Sequence, residues 1–342
     1  YVAPRRLDGL GSLERVGVLG AALAVLLVRL LAVDGGVETL AEMGRGGKDG
    51  HDEVDRLDEA EGHDRTSLLL PGNQDALIVD VASAASKKKI PVALVVMSGG
   101  QLDISEHEAN PHVGAIVWCG YPGQSGGAAI ADILFGHTNP SGSLTLTWYK
   151  EEFTQQVKAT DMGMRPDKTT GNPGRSYRFF TGEPLYRFGH GLSFTAFEHT
   201  LRTVGSATVE SSAIEAAGRP LPADRVAGMT LSLSMLSKTT VLSLECNTTN
   251  VGDYDGAKPI LIFAAPPGSG AGGRPLRSLV DFDRVFLESG SSVVTRFDIA
   301  AQHLTVATAQ GDAAVRREAV KGLWRLWVGS DGEDDAVVVS VV

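Results

Sequence analysis

Residues 90–100 read Ile-Pro-Val-Ala-Leu-Val-Val-Met-Ser-Gly-Gly. From Ile90 to Met97 nearly every position is apolar, so neither face of this run can be turned to water. A short strand buried on both faces belongs to a sheet covered on both sides, as parallel sheets are. Ser98-Gly99-Gly100 then breaks the run. Downstream, Gly114 to Trp118 (GAIVW) repeats the signal and ends at Gly120-Tyr-Pro-Gly. Helical pattern lies on either side of these strands. Residues 73–86 place Leu77, Ile78 and Val81 on one face, and residues 126–135 (GGAAIADILF) form a helix closed by Gly136. Asn139-Pro-Ser-Gly is a turn, and Leu144 to Tyr149 reads as another strand. Strands and helices alternating over short connections predict an α/β layered sandwich domain.

The second half of the chain changes period. Residues 205–228 are rich in Ala, Gly, Pro and charge, and read as a long surface loop. Beyond it Leu231, Leu233 and Met235 alternate with Ser, the period of a half-buried strand. Val241 to Leu244, Ile260 to Phe263, Val293 to Ile299, Leu323 to Val328 and Val337 to Val341 continue the set, separated by Gly, Pro, Asn and Asp clusters. This pattern predicts an all-β immunoglobulin-like sandwich of about seven strands, the architecture also called fibronectin type III-like.

The 342 residues suit two domains, and 43% hydrophobic with 21% charged residues excludes a wholly disordered chain. The net charge of −10 argues against nucleic acid as the main partner, because phosphate binding needs clustered Lys and Arg. Cys119 and Cys246 are the only cysteines, which excludes a disulfide framework and a four-cysteine zinc site. The uncharged stretch Val16 to Val28 falls short of the roughly 20 residues of a membrane span. It reads as a buried or partly buried helix, and no membrane partner is expected. Residues 34–64 are polar, and eight of the sixteen residues from Asp49 to Asp64 are carboxylates. Such a run is usually a solvated loop.

Eight histidines are scattered, with no HExxH arrangement. Glu106-His-Glu-Ala-Asn-Pro-His112 reads as a polar loop around a proline rather than a metal site. The acidic run lacks the ligand spacing of a calcium loop. No metal and no cofactor are expected. Ser98-Gly-Gly and Gly120-Tyr-Pro-Gly-Gln-Ser-Gly-Gly follow buried strands, the place where α/β sheets bind ligands. They match neither the dinucleotide fingerprint nor the phosphate loop, and no GxSxG serine elbow occurs. The remaining constellation is Asp55-Arg-Leu-Asp-Glu-Ala-Glu-Gly-His-Asp-Arg65. A general acid needs a carboxyl group held protonated near neutral pH, and crowded carboxylates raise one another's pKa. A solvated loop has the same composition.

Six motifs in order from Glu59 to Phe194 resemble the plant and fungal β-xylosidases of glycoside hydrolase family three. They are EAEGHDR with SLLLPGNQ (59–74), VALVVMSGGQLDIS (92–105), GAIVWCGYPGQSGGAAIADILFG (114–136), NPSGSLTLTWY (139–149), MGMRPDKTTGNPGRSYRFF (162–180) and YRFGHGLSF (186–194). CNTTNVGDYDG (246–256), LESGSSVVTRFDI (287–299) and KGLWRLWVGSD (321–331) resemble the fibronectin type III-like domain that ends these enzymes. The expected domains are therefore 1–58, a divergent segment with no recognisable domain; 59–193, the α/β sandwich; and 194–342, the fibronectin type III-like domain.

The resemblance implies an exo-glycosidase of the xylan 1,4-β-xylosidase type with a retaining mechanism. In such enzymes a (β/α)8 barrel carries the aspartate nucleophile and the α/β sandwich lends the acid/base glutamate. Residue by residue that glutamate matches Glu59, with Glu61 as the fallback, while Asp64 and Arg65 are expected to hold the loop by an ion pair. Glu59 would protonate the leaving oxygen and then activate water. The implied partners are xylo-oligosaccharides or arabinoxylan-type glycans, together with the barrel. The barrel, which takes roughly 250 residues, has no room ahead of Glu59. The expectation is of a C-terminal portion, inactive by itself, and the alternative function is a non-catalytic glycan-binding accessory fragment. An extracellular or cell-wall location is also implied, and Asn247-Thr-Thr249 is an N-glycosylation sequon consistent with it.

Overall fold

A computed structural model describes residues 2–4, 24–29, 65–217, 239–308 and 316–342. The chain divides into two units. The first comprises Tyr1–Met162 and Glu183–Ser193, the second Gly163–Gly182 and Phe194–Val342.

The first unit is built on a four-stranded sheet. Its strands are β1 (Val2–Pro4), β2 (Ala24–Arg29), β3 (Val92–Met97) and β4 (Val113–Trp118), in the order β1-β4-β3-β2. β2, β3 and β4 run parallel, Leu26 opposite Leu94 and Leu94 opposite Ile116, while β1 pairs antiparallel with β4. β3 is buried on both faces, as its unbroken apolar run requires. On one face Leu94 and Val96 pack with Ile78 and Ala82 of α1 (Gln74–Lys87), and with Leu102, Ile104, Leu144 and Trp148. On the other, Val95 and Val117 meet Ile130, Ile133 and Leu134 of α3 (Gly126–Leu134). The short α2 (Ser105–Ala109) leads into β4, and α4 (Glu152–Gln156) follows the segment 142–150.

Two expectations for this unit are corrected. The helix expected over Val16–Val28 is, where described, the strand β2. A continuous apolar run has no period to separate helix from strand, and here parallel pairing with β3 decides. The strand expected over Leu144–Tyr149 is an extended segment outside the sheet. It pairs with residues 185–190 through Trp148 N–H to Tyr186 O (2.9 Å) and Leu144 N–H to His190 O (2.8 Å). A bend at residues 145–146 interrupts the segment, and burial of Leu144, Trp148 and Tyr149 satisfies the apolar pattern without a ladder.

The second unit is a sandwich. One sheet has the order β10-β7-β5, from β5 (Phe197–Val204), β7 (Thr240–Asn250) and β10 (Ser292–Ala300). The other is β6-β14-β13-β8-β9, from β6 (Thr208–Val209), β8 (Gly256–Ala265), β9 (Ser278–Leu287), β13 (Gly322–Val328) and β14 (Val337–Val341). β11 (Thr305–Thr308) and β12 (Arg316–Ala319) form a separate hairpin. Between the sheets lie Leu242, Leu244, Cys246, Ile260, Ile262, Phe297, Ile299, Trp324, Leu326 and Val339.

The surface loop expected over 205–228 is also corrected. Part of it is β6 and part is the helix α6 (Ser211–Ala217), because Val209 and Ile214 sink into this core despite their polar surroundings. The strand expected around Leu231–Met235 lies outside the described residues. Residues 163–182, which the sequence reading keeps with the first domain, group with the second unit. Their short helix α5 (Ser176–Phe179) places Tyr177 edge-on to Phe263 at 5.8 Å, and Leu276 N–H donates to Arg178 O at 2.7 Å.

Candidate functional site

The loops after β3 and β4 meet at the C-terminal edge of the sheet. Ser98 is fully buried and its Oγ donates to Gly100 O (2.8 Å). Trp118 at the end of β4 donates its indole N–H to both Ser98 O (3.1 Å) and Ser98 Oγ (3.0 Å). The Tyr121 ring lies against Gly99, where a Cβ would come within 2.6 Å of it and force the ring to move. The two glycine-rich loops singled out in the sequence therefore form one packed structure.

Beside it lies a cavity of about 240 Å³ lined by Trp118, Cys119, Gly120, Gly142, Ser143 and Leu144. Its far wall is held by the closing segment of the unit. Trp118 stands edge-on to Trp148 (5.6 Å), Trp148 edge-on to Tyr186 (5.7 Å), and Tyr186 stacks on His190 (5.1 Å). At Gly191 a Cβ would collide with the Gly142 carbonyl oxygen, so two backbones pass with no room for a side chain. The Cys119 thiol is pushed above its ordinary pKa by burial. The lining combines three apolar residues, Trp118, Cys119 and Leu144, with three small ones, Gly120, Gly142 and Ser143.

A second piece of architecture holds the chain leaving the acidic segment. Leu68 N–H donates to Glu151 Oε2 (2.6 Å), Asp103 N–H donates to Leu68 O (2.7 Å), and Glu151 N–H donates to Asp103 Oδ2 (2.7 Å). Three distant segments thus close a ring of hydrogen bonds. The remaining carboxylate oxygens are occupied too. Asp103 Oδ1 accepts from Ser105 N–H (3.1 Å) and Oγ (2.6 Å), and Glu151 Oε1 from Thr154 Oγ1 (3.1 Å). Gln101 Oε1 accepts from Tyr149 N–H (2.7 Å) beside it. Arg65, three residues before Leu68, donates to Leu69 O.

Glu59, Glu61 and Asp64 lie outside the described residues, so the ion pair expected between Asp64 and Arg65 does too. His107 is buried on α2 and its Nε2 meets Asp75 Oδ1 of α1 at 2.6 Å, tying the two helices together. His112 is exposed. Among the described residues no three His, Cys, Asp or Glu side chains gather as a metal site. Among them, too, no helix is long and apolar enough to cross a membrane. Both cysteines are free, and burial raises the Cys246 thiol as well. Asn247 is exposed on β7. The sequence reading missed Asp103 and Glu151. Each is a polar residue whose importance comes from a partner chosen by the fold, and only their adjacency to apolar runs hinted at burial.

A sheet covered on both faces, with loops gathered at its strand C-termini, and a separate two-sheet sandwich define an α/β domain and an immunoglobulin-like β domain in one chain. The glycosyl hydrolase family 3 C-terminal domain matches residues 46–194, and a fibronectin type III-like domain matches residues 259–332. The chain therefore carries the C-terminal domain of glycosyl hydrolase family 3 and a fibronectin type III-like domain. The match begins ahead of Glu59, at residue 46, so part of the acidic segment belongs to the family domain.

Among curated proteins the chain is 38% identical over 246 residues to a β-xylosidase/α-L-arabinofuranosidase of Medicago sativa subsp. varia, covering 70% of this chain and 30% of that protein. It is 37% identical over 290 residues to a β-D-xylosidase of Arabidopsis thaliana, covering 81% and 35% respectively. Among solved structures, a family 3 exo-β-xylosidase in complex with a xylobiose aziridine activity-based probe aligns with a TM-score of 0.68. Its identity is 28%, and the alignment covers 97% of this chain and 37% of that one. The chain spans about a third of the length of the curated relatives it matches.

Proposed function

We propose that these two domains are the C-terminal part of a retaining exo-glycosidase acting on β-linked xylosyl groups, and that Glu59 supplies its acid/base carboxyl. Glu61 is the second candidate. The nucleophile comes from a barrel domain, which makes the chain inactive by itself. The observation that carries this reading is the hydrogen-bonded ring at Leu68, Asp103 and Glu151. A carboxyl that must first give and then take a proton has to stay within hydrogen-bond reach of the glycosidic oxygen and then of water. The ring anchors the backbone nine residues after Glu59 to Asp103, beyond the loop that follows β3, and to Glu151, ahead of α4. The likeness to plant and fungal xylosidases supports the substrate class. By the same likeness the protein works outside the cell.

The test is the leaving-group dependence of a protein joining these domains to the barrel. Glu59→Gln should lose kcat/KM on xylosides with poor leaving groups and largely keep kcat/KM on activated aryl xylosides, whose kcat falls because the second step loses its base. A second reading, glycan binding without turnover, draws on the Trp118 cavity. Calorimetry of the isolated chain with xylo-oligosaccharides at millimolar concentration decides it, and no measurable heat removes that reading.

A further inference from the structure

The outward face of β5, β7 and β10 is a set of four cross-strand rows. Pairing aligns Glu198 with Thr249 and Ser292, Thr200 with Asn247 and Val294, Arg202 with Glu245 and Arg296, and Val204 with Ser243 and Asp298. Three of the rows are tied by side-chain contacts. Thr249 Oγ1 meets Ser292 Oγ at 2.8 Å, Arg202 pairs with Glu245, and Ser243 Oγ donates to Asp298 Oδ1 at 2.6 Å. The row of Asn247 has no such tie. Among the described residues the Asn247 amide meets no side-chain partner, and its neighbour Val294 stands 56% exposed. The next residue, Thr248, is buried and turns its hydroxyl inward to His199 Nδ1 (3.0 Å).

Asn247-Thr248-Thr249 is also the only Asn-x-Ser/Thr triplet in the 342 residues without proline at its middle position. Asn139-Pro-Ser141 is excluded by its proline. Asn247 is exposed on this packed sheet, beside the uncovered Val294, and it coincides with the one usable sequon.

We propose that Asn247 is the single N-glycosylation site of this chain, and that the glycan stands over the Thr200–Asn247–Val294 row. The donor is an oligosaccharide carried on an isoprenoid pyrophosphate. The Asn247 side-chain nitrogen forms the new bond to the anomeric carbon of the first sugar. The bond from that carbon to the pyrophosphate oxygen breaks, its electron pair leaves with the pyrophosphate, and the amide nitrogen gives up one proton to a base. Folding leaves the finished glycan in solvent, because Asn247 points away from the core formed by Leu244, Cys246 and Thr248. The inference stands apart from the catalytic reading, since it concerns the fibronectin-like domain and needs no turnover.

The experiment is to secrete the chain from a eukaryotic host behind a heterologous leader and to measure its intact mass before and after peptide-N-glycosidase F. One glycan should be removed, leaving Asp in place of Asn247. Asn247→Gln should secrete at the unmodified mass. Should that variant fail to fold, Thr249→Ala should lose the modification and Thr249→Ser retain it. Secretion of the unaltered chain at its unmodified mass overturns the proposal, as does a mass loss that persists in Asn247→Gln or Thr249→Ala.

Discussion

Replacing Glu151 by alanine tests whether the ring behind Leu68 holds its segment. The substitution removes the acceptor of the Leu68 N–H (2.6 Å) and of Thr154 Oγ1 (3.1 Å), and leaves a half-buried peptide N–H unpaired. A hydrogen bond to a charged group contributes about 1.5–3 kcal/mol. At roughly 2–4 °C per kcal/mol for a domain of this size, the melting temperature of the first unit should fall by roughly 3–12 °C. Local opening should be more sensitive. With about 1.4 kcal/mol for each factor of ten, hydrogen exchange at the Leu68 amide should accelerate by roughly 10- to 150-fold. Glu151→Gln keeps an oxygen on the N–H without its charge, and should lose about half as much free energy. The amide of Leu244 in β7 serves as the control and should not change. Unaltered exchange at Leu68, or equal acceleration at Leu244, would refute the claim that this ring fixes the segment.

Other predictions follow from the same geometry. Asp75→Ala strips buried His107 of its partner and should cost about 1–3 kcal/mol in urea unfolding; a loss below 0.5 kcal/mol, which is ~ the scatter of surface substitutions, would show the pair to be incidental. Burial, with Lys258 nearby, depresses the His199 pKa to about 4. The folded protein therefore keeps the ring neutral and the unfolded chain binds the proton first. The stability of the second unit should be fully present above the ordinary histidine range and fall on the order of 2–3 kcal/mol as pH drops from about 6.5 to 4. His199→Gln should flatten that slope in thermal melts. Gly191→Ala forces apart two backbones at Gly142 and should destabilise the first unit by about 1–3 kcal/mol, seen as a lower urea midpoint with unchanged slope. Cys246, buried with its thiol pKa raised, should resist alkylation in the native protein and react fully in denaturant.

The parts of the fold legible in the sequence were those where one face or both had to be apolar. Ile90 to Met97 and Gly114 to Trp118 gave up their doubly buried strands because no amphipathic alternative fits them. The same uniformity misled at Val16–Val28, where helix and strand leave the same trace and only pairing with β3 separates them. β9 went unread because Asp281 and Asp283 interrupt its pattern and a bulge opposite Ile262 and Phe263 shifts its register. Val209 and Ile214 sit singly among polar residues, so their burial depends on a core assembled from distant strands. The Ser98 and Gly120 loops were legible as loops leaving the C-terminal ends of buried strands, and the structure packs them together through Trp118. Leu68, Asp103 and Glu151 come together only through the register of the fold, over separations of 48 and 83 residues. The resemblance that points to Glu59 supplies chemistry that composition could not, since a solvated acidic loop has the same residues.

The most direct test of the account uses the protein in which these two domains follow the nucleophile-bearing barrel. Steady-state rates should be compared for wild type and Glu59→Gln on xylosides with poor alkyl and with activated aryl leaving groups. The account predicts that Glu59→Gln loses roughly 10²–10⁴-fold in kcat/KM on the alkyl xylosides and much less on the aryl ones, because only the former need a proton from the enzyme. An equal loss on both substrates, or no loss on either, would contradict the assignment of Glu59 as the acid.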